Sequence, residues 1–89
     1  MVEMEYDHVR PVDDGEHACE AVLRAVDVVS ERSLLDLPPL QEFVDVDALN
    51  LLFSSPPTAD ALRFRYADYD VLVEPTRVHV RRPEPRDLV

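Results

Sequence analysis

The stretch LRFRYADYDVLVEPTRVHVR, residues 62–81, decides the fold of this chain. Apolar and polar side chains alternate through three short runs within it, Leu62–Tyr66, Tyr69–Val73 and Arg77–Arg81. A period of two is typical of strands that bury one face. Because only short connections separate the runs, the stretch predicts a three-stranded antiparallel meander.

Two-residue turns at Ala67-Asp68 and Pro75-Thr76 would set the register of this meander. With these turns, every inward cross-strand pair is apolar: Phe64–Val71, Leu62–Val73, Val73–Val78 and Val71–Val80. The outward pairs Arg65–Asp70, Asp70–Arg81 and Glu74–Arg77 join opposite charges. This agreement between the two faces favours the register. Neither turn has the Asn-Gly or Asp-Gly sequence preferred there, so a one-residue extension of either turn is the alternative.

The residues before the meander predict a long helix over about residues 16–31. Asp13, spaced from Glu16 as in a capping box, and Asp14 are its candidate N-caps. Apolar residues at helical spacing predict one buried stripe, formed by Cys19, Val22, Leu23, Val26 and Val29.

A second helical region is predicted between this helix and the meander. Two consecutive prolines predict a bend that opens a helical turn over residues 38–44. Its inward residues are expected to be Leu40, Phe43 and Val44. Asp45 is the expected N-cap of a short helix that ends near Phe53, with an apolar edge formed by Leu49, Leu52 and Phe53.

The two ends of the chain have sequence patterns that differ from those of its middle. Residues 2–7 alternate apolar and acidic side chains, which predicts a short strand; a loose acidic tail is the alternative. Residues 83–89 contain two prolines and few apolar residues, and we expect a disordered tail. The expected organisation is therefore an N-terminal segment over 1–15, one domain over 16–82, and the tail.

Together these elements predict an α+β fold with two layers. Two helical segments would pack on one face of the three-stranded antiparallel meander, and residues 2–7 would add a fourth strand at an edge. A chain of 89 residues buries a modest core, which leaves little room for a deep catalytic cleft.

The charged residues indicate where such a protein works. The chain has 19 acidic residues and nine basic ones, all of them arginine, for a net charge of −10. Carboxylates hold water, and concentrated salt screens their repulsion, since the Debye length falls to about 3 Å at 1 M. We therefore expect a protein from an extreme halophile. Such a surface argues against binding to anionic membranes and against general nucleic-acid binding.

No catalytic, cofactor or metal motif stands out in the sequence. One glycine, Gly15, rules out a glycine-rich phosphate loop, and one cysteine rules out an internal disulfide. Cys19 lies on the predicted apolar stripe, where a small buried side chain is the ordinary interpretation. The sequence therefore predicts a non-enzymatic protein without a cofactor. The acidic N-terminus is not a signal peptide, and no apolar stretch approaches the length of a membrane span, so we expect a cytoplasmic protein.

The outward side of the meander, here called the outer face, is the candidate interaction site. It consists of Arg63, Arg65, Leu72, Arg77, His79 and Arg81. The structural interpretation is that acidic residues of the sheet neutralise these arginines. The functional one is that the face binds an acidic protein partner or a second copy of the chain, through the sheet face or a sheet edge. Nucleic acid is the least favoured partner, because the predicted face has no aromatic side chain for base stacking.

Three parts of the sequence resemble the halobacterial output domain family, type one. They are Leu37-Pro38-Pro39-Leu40, the run Val44-Asp45-Val46-Asp47-Ala48-Leu49 with Leu52-Phe53, and the strand sequences Phe64-Arg65-Tyr66, Tyr69-Asp70-Val71 and Val78-His79-Val80. The helix around residues 21–26 also fits, and the resemblance covers roughly residues 17–82. It implies an output or interaction module of haloarchaeal signalling, with no catalytic or cofactor residues. The alternative is a nucleic-acid-linked transcriptional regulator that uses the arginines of the outer face.

The charge excess makes a prediction about folding. In dilute buffer the unscreened carboxylates should partly or fully unfold this small domain, and molar KCl should restore it. Far-ultraviolet circular dichroism across a KCl titration measures this. A spectrum that stays unchanged from dilute buffer to molar salt would contradict the halophilic interpretation.

Overall fold

The chain folds into two helices packed on a four-stranded antiparallel sheet, which confirms the predicted α+β class. The computed structural model describes residues 6–30 and 34–82. The helices and strands, in chain order, are β1 (His8–Pro11), α1 (Ala18–Val29), α2 (Val46–Leu52), β2 (Leu62–Tyr66), β3 (Tyr69–Val73) and β4 (Arg77–Arg81). Two single turns of 3-10 helix, Leu34–Asp36 and Leu40–Glu42, lie between the helices. The strand order in the sheet is β1-β4-β3-β2.

The predicted register of the meander is confirmed at every inward and outward pair. Ala67 and Asp68 form the first turn with φ angles of +48° and +74°. Positive φ at both central positions is typical of the type I′ turn, whose backbone twist matches that of the strands it joins. The strand pairing thus imposes this conformation on Ala67, whose side chain does not favour it. In the second turn, the Glu74 amide donates to the Arg77 carbonyl at 2.9 Å.

Helix α1 covers the inner face of the sheet, and alanine makes that contact close. Four valines of the sheet, Val71, Val73, Val78 and Val80, are fully buried. The buried residues of α1 are Ala18, Ala21, Val22, Ala25, Val26 and Val29. The predicted stripe was therefore partly wrong, because Cys19 and Leu23 are only half-buried against the core. Half of these buried helix residues are alanine, and small side chains allow a close approach to a layer of β-branched valines.

A fourth strand forms near the N-terminus, as predicted, and it covers His8–Pro11, directly after residues 2–7. Residues 2–5 lie outside the described residues, and Tyr6 and Asp7 are not in a strand. The strand is β1, which pairs antiparallel with β4 so that His8 lies opposite Val80 and Arg10 opposite Val78. Pro11 ends this edge strand, where a missing amide hydrogen is tolerated. The predicted tail over 83–89 also lies outside the described residues.

An ion pair explains why β1 was not recognised. Val78 and Val80 face the helices, so their neighbours Arg10 and His8 also lie on the inner side, and Val9 faces outward. Arg10 satisfies its charge there by a bidentate bond to Glu16, with Nη1–Oε1 at 2.7 Å and Nη2–Oε2 at 3.0 Å. Polar residues inside and an apolar residue outside invert the usual strand pattern.

Glu16 is the centre of this contact between β1 and α1. Its side chain is only 5% exposed, and it also accepts from the Asp13 amide at 3.1 Å and pairs with Arg24 at 3.0 Å. The hydrogen bond from Arg10 lowers the pKa of Glu16, and the same bond raises the pKa of Arg10. The Asp13–Glu16 spacing thus closes a turn before the helix. The N-cap is His17, whose amide donates to Glu20 at 3.1 Å, so neither Asp13 nor Asp14 caps α1.

The second helical region follows the prediction more closely. Asp45 caps α2 as expected, with its carboxylate accepting from the Ala48 amide at 3.1 Å, and Leu49 is fully buried. Leu40 is buried, but Phe43 is 40% exposed and packs edge-on against the Tyr66 ring, so its expected inward position was wrong. The Tyr66 hydroxyl donates to the Pro38 carbonyl at 2.7 Å. This bond fixes the proline bend to the end of β2.

Replacing Glu16 should destabilise the domain more than an equal change of charge elsewhere. Glu16→Gln leaves the inward guanidinium of Arg10 without its carboxylate, and we expect a loss of about 1–3 kcal/mol in the free energy of unfolding. The matched control is Glu42→Gln, at an exposed position on the second 3-10 turn. Denaturant unfolding in molar KCl measures both. Equal stabilities of the two variants would show that the ion pair does not hold β1 to α1.

Candidate interaction face of the sheet

The structure places all six predicted residues on the outer face. The fully buried valines of β3 and β4 point to the helices, so the residues that alternate with them point away. Arg63, Arg65 and Arg77 are exposed, whereas the other three, Leu72, His79 and Arg81, are half-buried. The face therefore exposes three guanidinium groups to solvent, and its other three residues are partly covered by their neighbours.

One charged row crosses the face beside the Ala67-Asp68 turn. Asp70 accepts from Arg81, including a bond from Nε at 3.1 Å, and lies 3.5 Å from Nε of Arg65. The bond from Arg81 is the main reason that the pKa of Asp70 lies below its ordinary value; burial opposes the shift, and Arg65 adds to it. Arg81 is thus neutralised within the sheet. Arg65 keeps 70% of its side chain exposed.

A second cluster lies at the other end of the strands. Glu74 contacts Nε of Arg77 at 3.3 Å, and its Oε1 lies 2.6 Å from Nε2 of His79. The His79 side chain is only 16% exposed, so it does not present a free imidazole to a partner. These contacts agree with the structural interpretation for three residues of the face, namely Arg77, His79 and Arg81.

The middle of the face is a row that runs across all four strands. Val9, His79, Leu72 and Arg63 lie side by side in successive strands. Val9 is 46% exposed. Arg63 has no acidic partner within residues 6–30 and 34–82. The row therefore offers apolar surface from Val9 and Leu72, with an available arginine at its β2 end.

Sequence reasoning missed two residues of this face, both from the N-terminal segment. Val9 was missed because β1 was placed too early in the chain. The Tyr6 ring packs on His79 with the ring centroids 5.0 Å apart, so an aromatic side chain does lie at this face. Asp7 adds a further acid beside it: its carboxylate accepts from the Arg82 amide at 2.6 Å. Only the register of β1 on β4 could have revealed them.

A groove lies at the start of α1. It has a volume of about 380 Å³ and lies between the loop over residues 12–17, the end of α2 and the β3–β4 turn. Asn50, on its wall, accepts from the Cys19 amide at 3.0 Å, so that side chain serves to join the helices. Among the described residues, no three His, Cys, Asp or Glu side chains are grouped to hold a metal ion. No helix in the described ranges has the length and apolar character to cross a bilayer.

The outer face should respond to acid through Asp70. A carboxyl with a lowered pKa adds stability above its unfolded pKa and loses that contribution as pH falls through the folded value. Asp70→Asn should therefore cost about 1 kcal/mol at neutral pH and progressively less below pH 3.8, the ordinary value.

Unfolding free energies of Asp70→Asn and the unchanged chain, measured from pH 7 downward in the same salt, test this. Asp60→Asn is the control, since Asp60 is exposed and lies in the loop before β2. A stability difference for Asp70→Asn that stays constant into acid would contradict the charge-based contribution.

Comparison with known proteins gives a family but no closer match. No curated protein and no solved structure matches the chain. The sequence model described as Halobacterial output domain 1 matches residues 14–82. This range contains both helices, the proline bend and the complete meander, and leaves out β1. The chain therefore belongs to the halobacterial output domain 1 family.

Proposed function

We propose that this chain is a non-enzymatic output module of haloarchaeal signalling or regulation, and that it works by binding a protein through the outer face. One observation carries the proposal: an acidic chain exposes arginine and apolar surface together on one sheet face. Residues 62–89 carry six arginines and five acids, whereas residues 1–61 carry three arginines and fourteen acids. The outer face is thus the part of the surface suited to an acidic partner.

The contacts on the face indicate how it would bind in concentrated salt. Long-range attraction is screened there, so the useful interactions are short hydrogen bonds and apolar contact. Arg63 and Arg65 have exposed guanidinium groups that suit bidentate binding to carboxylates. Val9 and Leu72 supply apolar area in the adjoining row. A partner surface that combines acidic and apolar groups fits this arrangement, and a second copy of the chain is one such partner.

The family supports the proposed role only in its general form, as an output domain. We place the interaction in the cytoplasm, where the arginine-only, acidic composition suits a salt-rich interior. The non-enzymatic character rests on the shape of the site: the outer face is an open sheet surface, and its best-ordered polar groups are engaged with one another.

A nucleic-acid-linked regulator is the second candidate function. The observation in its favour is the Tyr6 ring beside the arginines, since base stacking needs an aromatic group. Against it, Asp70 and Glu74 lie on the same side and bond to its arginines. We therefore rank it below the protein interaction.

Two matched valine variants test the proposed function. Val9→Asp puts an acid in the middle row of the outer face, whereas Val28→Asp puts the same acid on α1, where Val28 is 62% exposed. The tagged chain is used to capture proteins from a haloarchaeal lysate at native salt. We expect at least about a tenfold loss of captured partner for Val9→Asp and little change for Val28→Asp, since apolar anchors dominate interfaces.

Equal capture by both variants would contradict the outer face as the binding site. For the alternative, retention on DNA or RNA is measured from the lowest salt that keeps the fold. Nucleic-acid binding that weakens steeply with salt and is abolished in Arg63→Glu would favour the nucleic-acid role.

A further inference from the structure

Strand β2 leaves one edge of the sheet open. It is the last strand in the order, and Tyr66 and Tyr69 flank the two-residue turn to β3. Antiparallel pairs alternate between bonded and non-bonded, so Leu62, Phe64 and Tyr66 bond to β3 and the amides of Arg63 and Arg65 face outward. Within the described ranges, no other segment forms backbone hydrogen bonds with these two residues. The edge is therefore available to another strand.

The side chains along this edge define what such a strand must carry. Arg63 and Arg65 are exposed on the outer face, while Leu62 and Phe64 lie half-buried on the helix side. Directly opposed residues in a sheet share a face. A strand that completes the edge would thus place acidic residues beside the arginines and apolar residues beside Leu62 and Phe64.

Pairing of β2 with β2 of a second copy does not meet this requirement. An antiparallel pair centred on Phe64 sets Arg63 opposite Arg65 of the other copy in both directions. Like charges directly opposite destabilise a sheet, and charged edges are a common protection against such pairing. The open edge therefore selects against its own strand and in favour of an acidic one.

The chain carries a segment with the required pattern at residues 2–5, Val2-Glu3-Met4-Glu5. The pairing of β1 with β4 runs as far as the bond from the Asp7 amide to the Val80 carbonyl. Asp7 and His8 thus both oppose Val80, a bulge that ends the regular ladder of β1 on β4.

We propose that residues 2–5 of a second copy add as a strand to the open edge of β2. Glu3 and Glu5 lie beside Arg63 and Arg65, and Val2 and Met4 extend the apolar layer at Leu62 and Phe64. Reciprocal exchange gives a closed two-fold dimer, since each copy has one segment and one edge. The inference rests on the proposed interaction function in one respect: it names a second copy as a partner of this chain.

Disulfide trapping between two variants tests the contact directly. Both carry Cys19→Ser, so each has one cysteine. Glu3→Cys is mixed with Arg63→Cys or with Arg65→Cys in molar KCl under mild oxidation, and we expect a crosslinked heterodimer from at least one mixture. Arg77→Cys is the control, as an exposed outer-face arginine away from β2. Absence of a crosslink, or equal crosslinking to Arg77→Cys, would overturn the proposal.

The oligomeric state supplies an independent readout. We expect sedimentation of the unchanged chain as a dimer and of the double variant Arg63→Glu/Arg65→Glu as a monomer. Mixing that variant with Glu3→Arg/Glu5→Arg should restore dimers through the reversed charges. If the unchanged chain is a monomer, the strand exchange is wrong but the proposed function is not. The Val9→Asp variant tests the outer face separately. A dimer that persists in both double variants would also overturn it.

Discussion

The close contact between α1 and the sheet is the constraint on which the structure depends. Three alanines of the helix, at positions 18, 21 and 25, are buried in the same core as the fully buried valines of β3 and β4. A small domain has few residues with which to build a core, so it gains most from tight packing of small groups. A one-residue slip would turn these valines away from the helix, and the observed register places Arg63, Arg65, Arg77 and Arg81 on the outer face.

The sequence was sufficient to predict the meander because its determinants are local. The alternation within residues 62–81 and the two short turns are adjacent in the chain, and apolar and charged pairs agreed on one register. The position of β1 could not be obtained in this way. Arg10 faces inward only because Glu16 accepts both of its nitrogens, and that bond exists only when the strand and the helix are already side by side.

The residues of the candidate site also divide into those that local alternation predicts and those that depend on contacts distant in the chain. Its six residues on β2, β3 and β4 followed from alternation, while Val9 and Tyr6 depend on where β1 lies. The buried stripe of α1 was displaced for a related reason. Periodicity identifies an apolar side of a helix, but the buried side of α1 includes Ala18, Ala21 and Ala25, which have small side chains. Hydrophobicity alone ranks them below Cys19 and Leu23.

The buried Tyr66 ring is an intrinsic spectroscopic probe of this protein. The chain has three tyrosines and no tryptophan, so phenol rings dominate its near-ultraviolet absorption. Tyr66 is almost completely buried at the end of β2, the strand with the open edge, and its hydroxyl is held by the Pro38 carbonyl. A hydrogen-bonded phenol in an apolar setting absorbs differently from one in water. The absorption of this ring therefore reports, without any attached label, whether the proline bend and the edge strand are still joined.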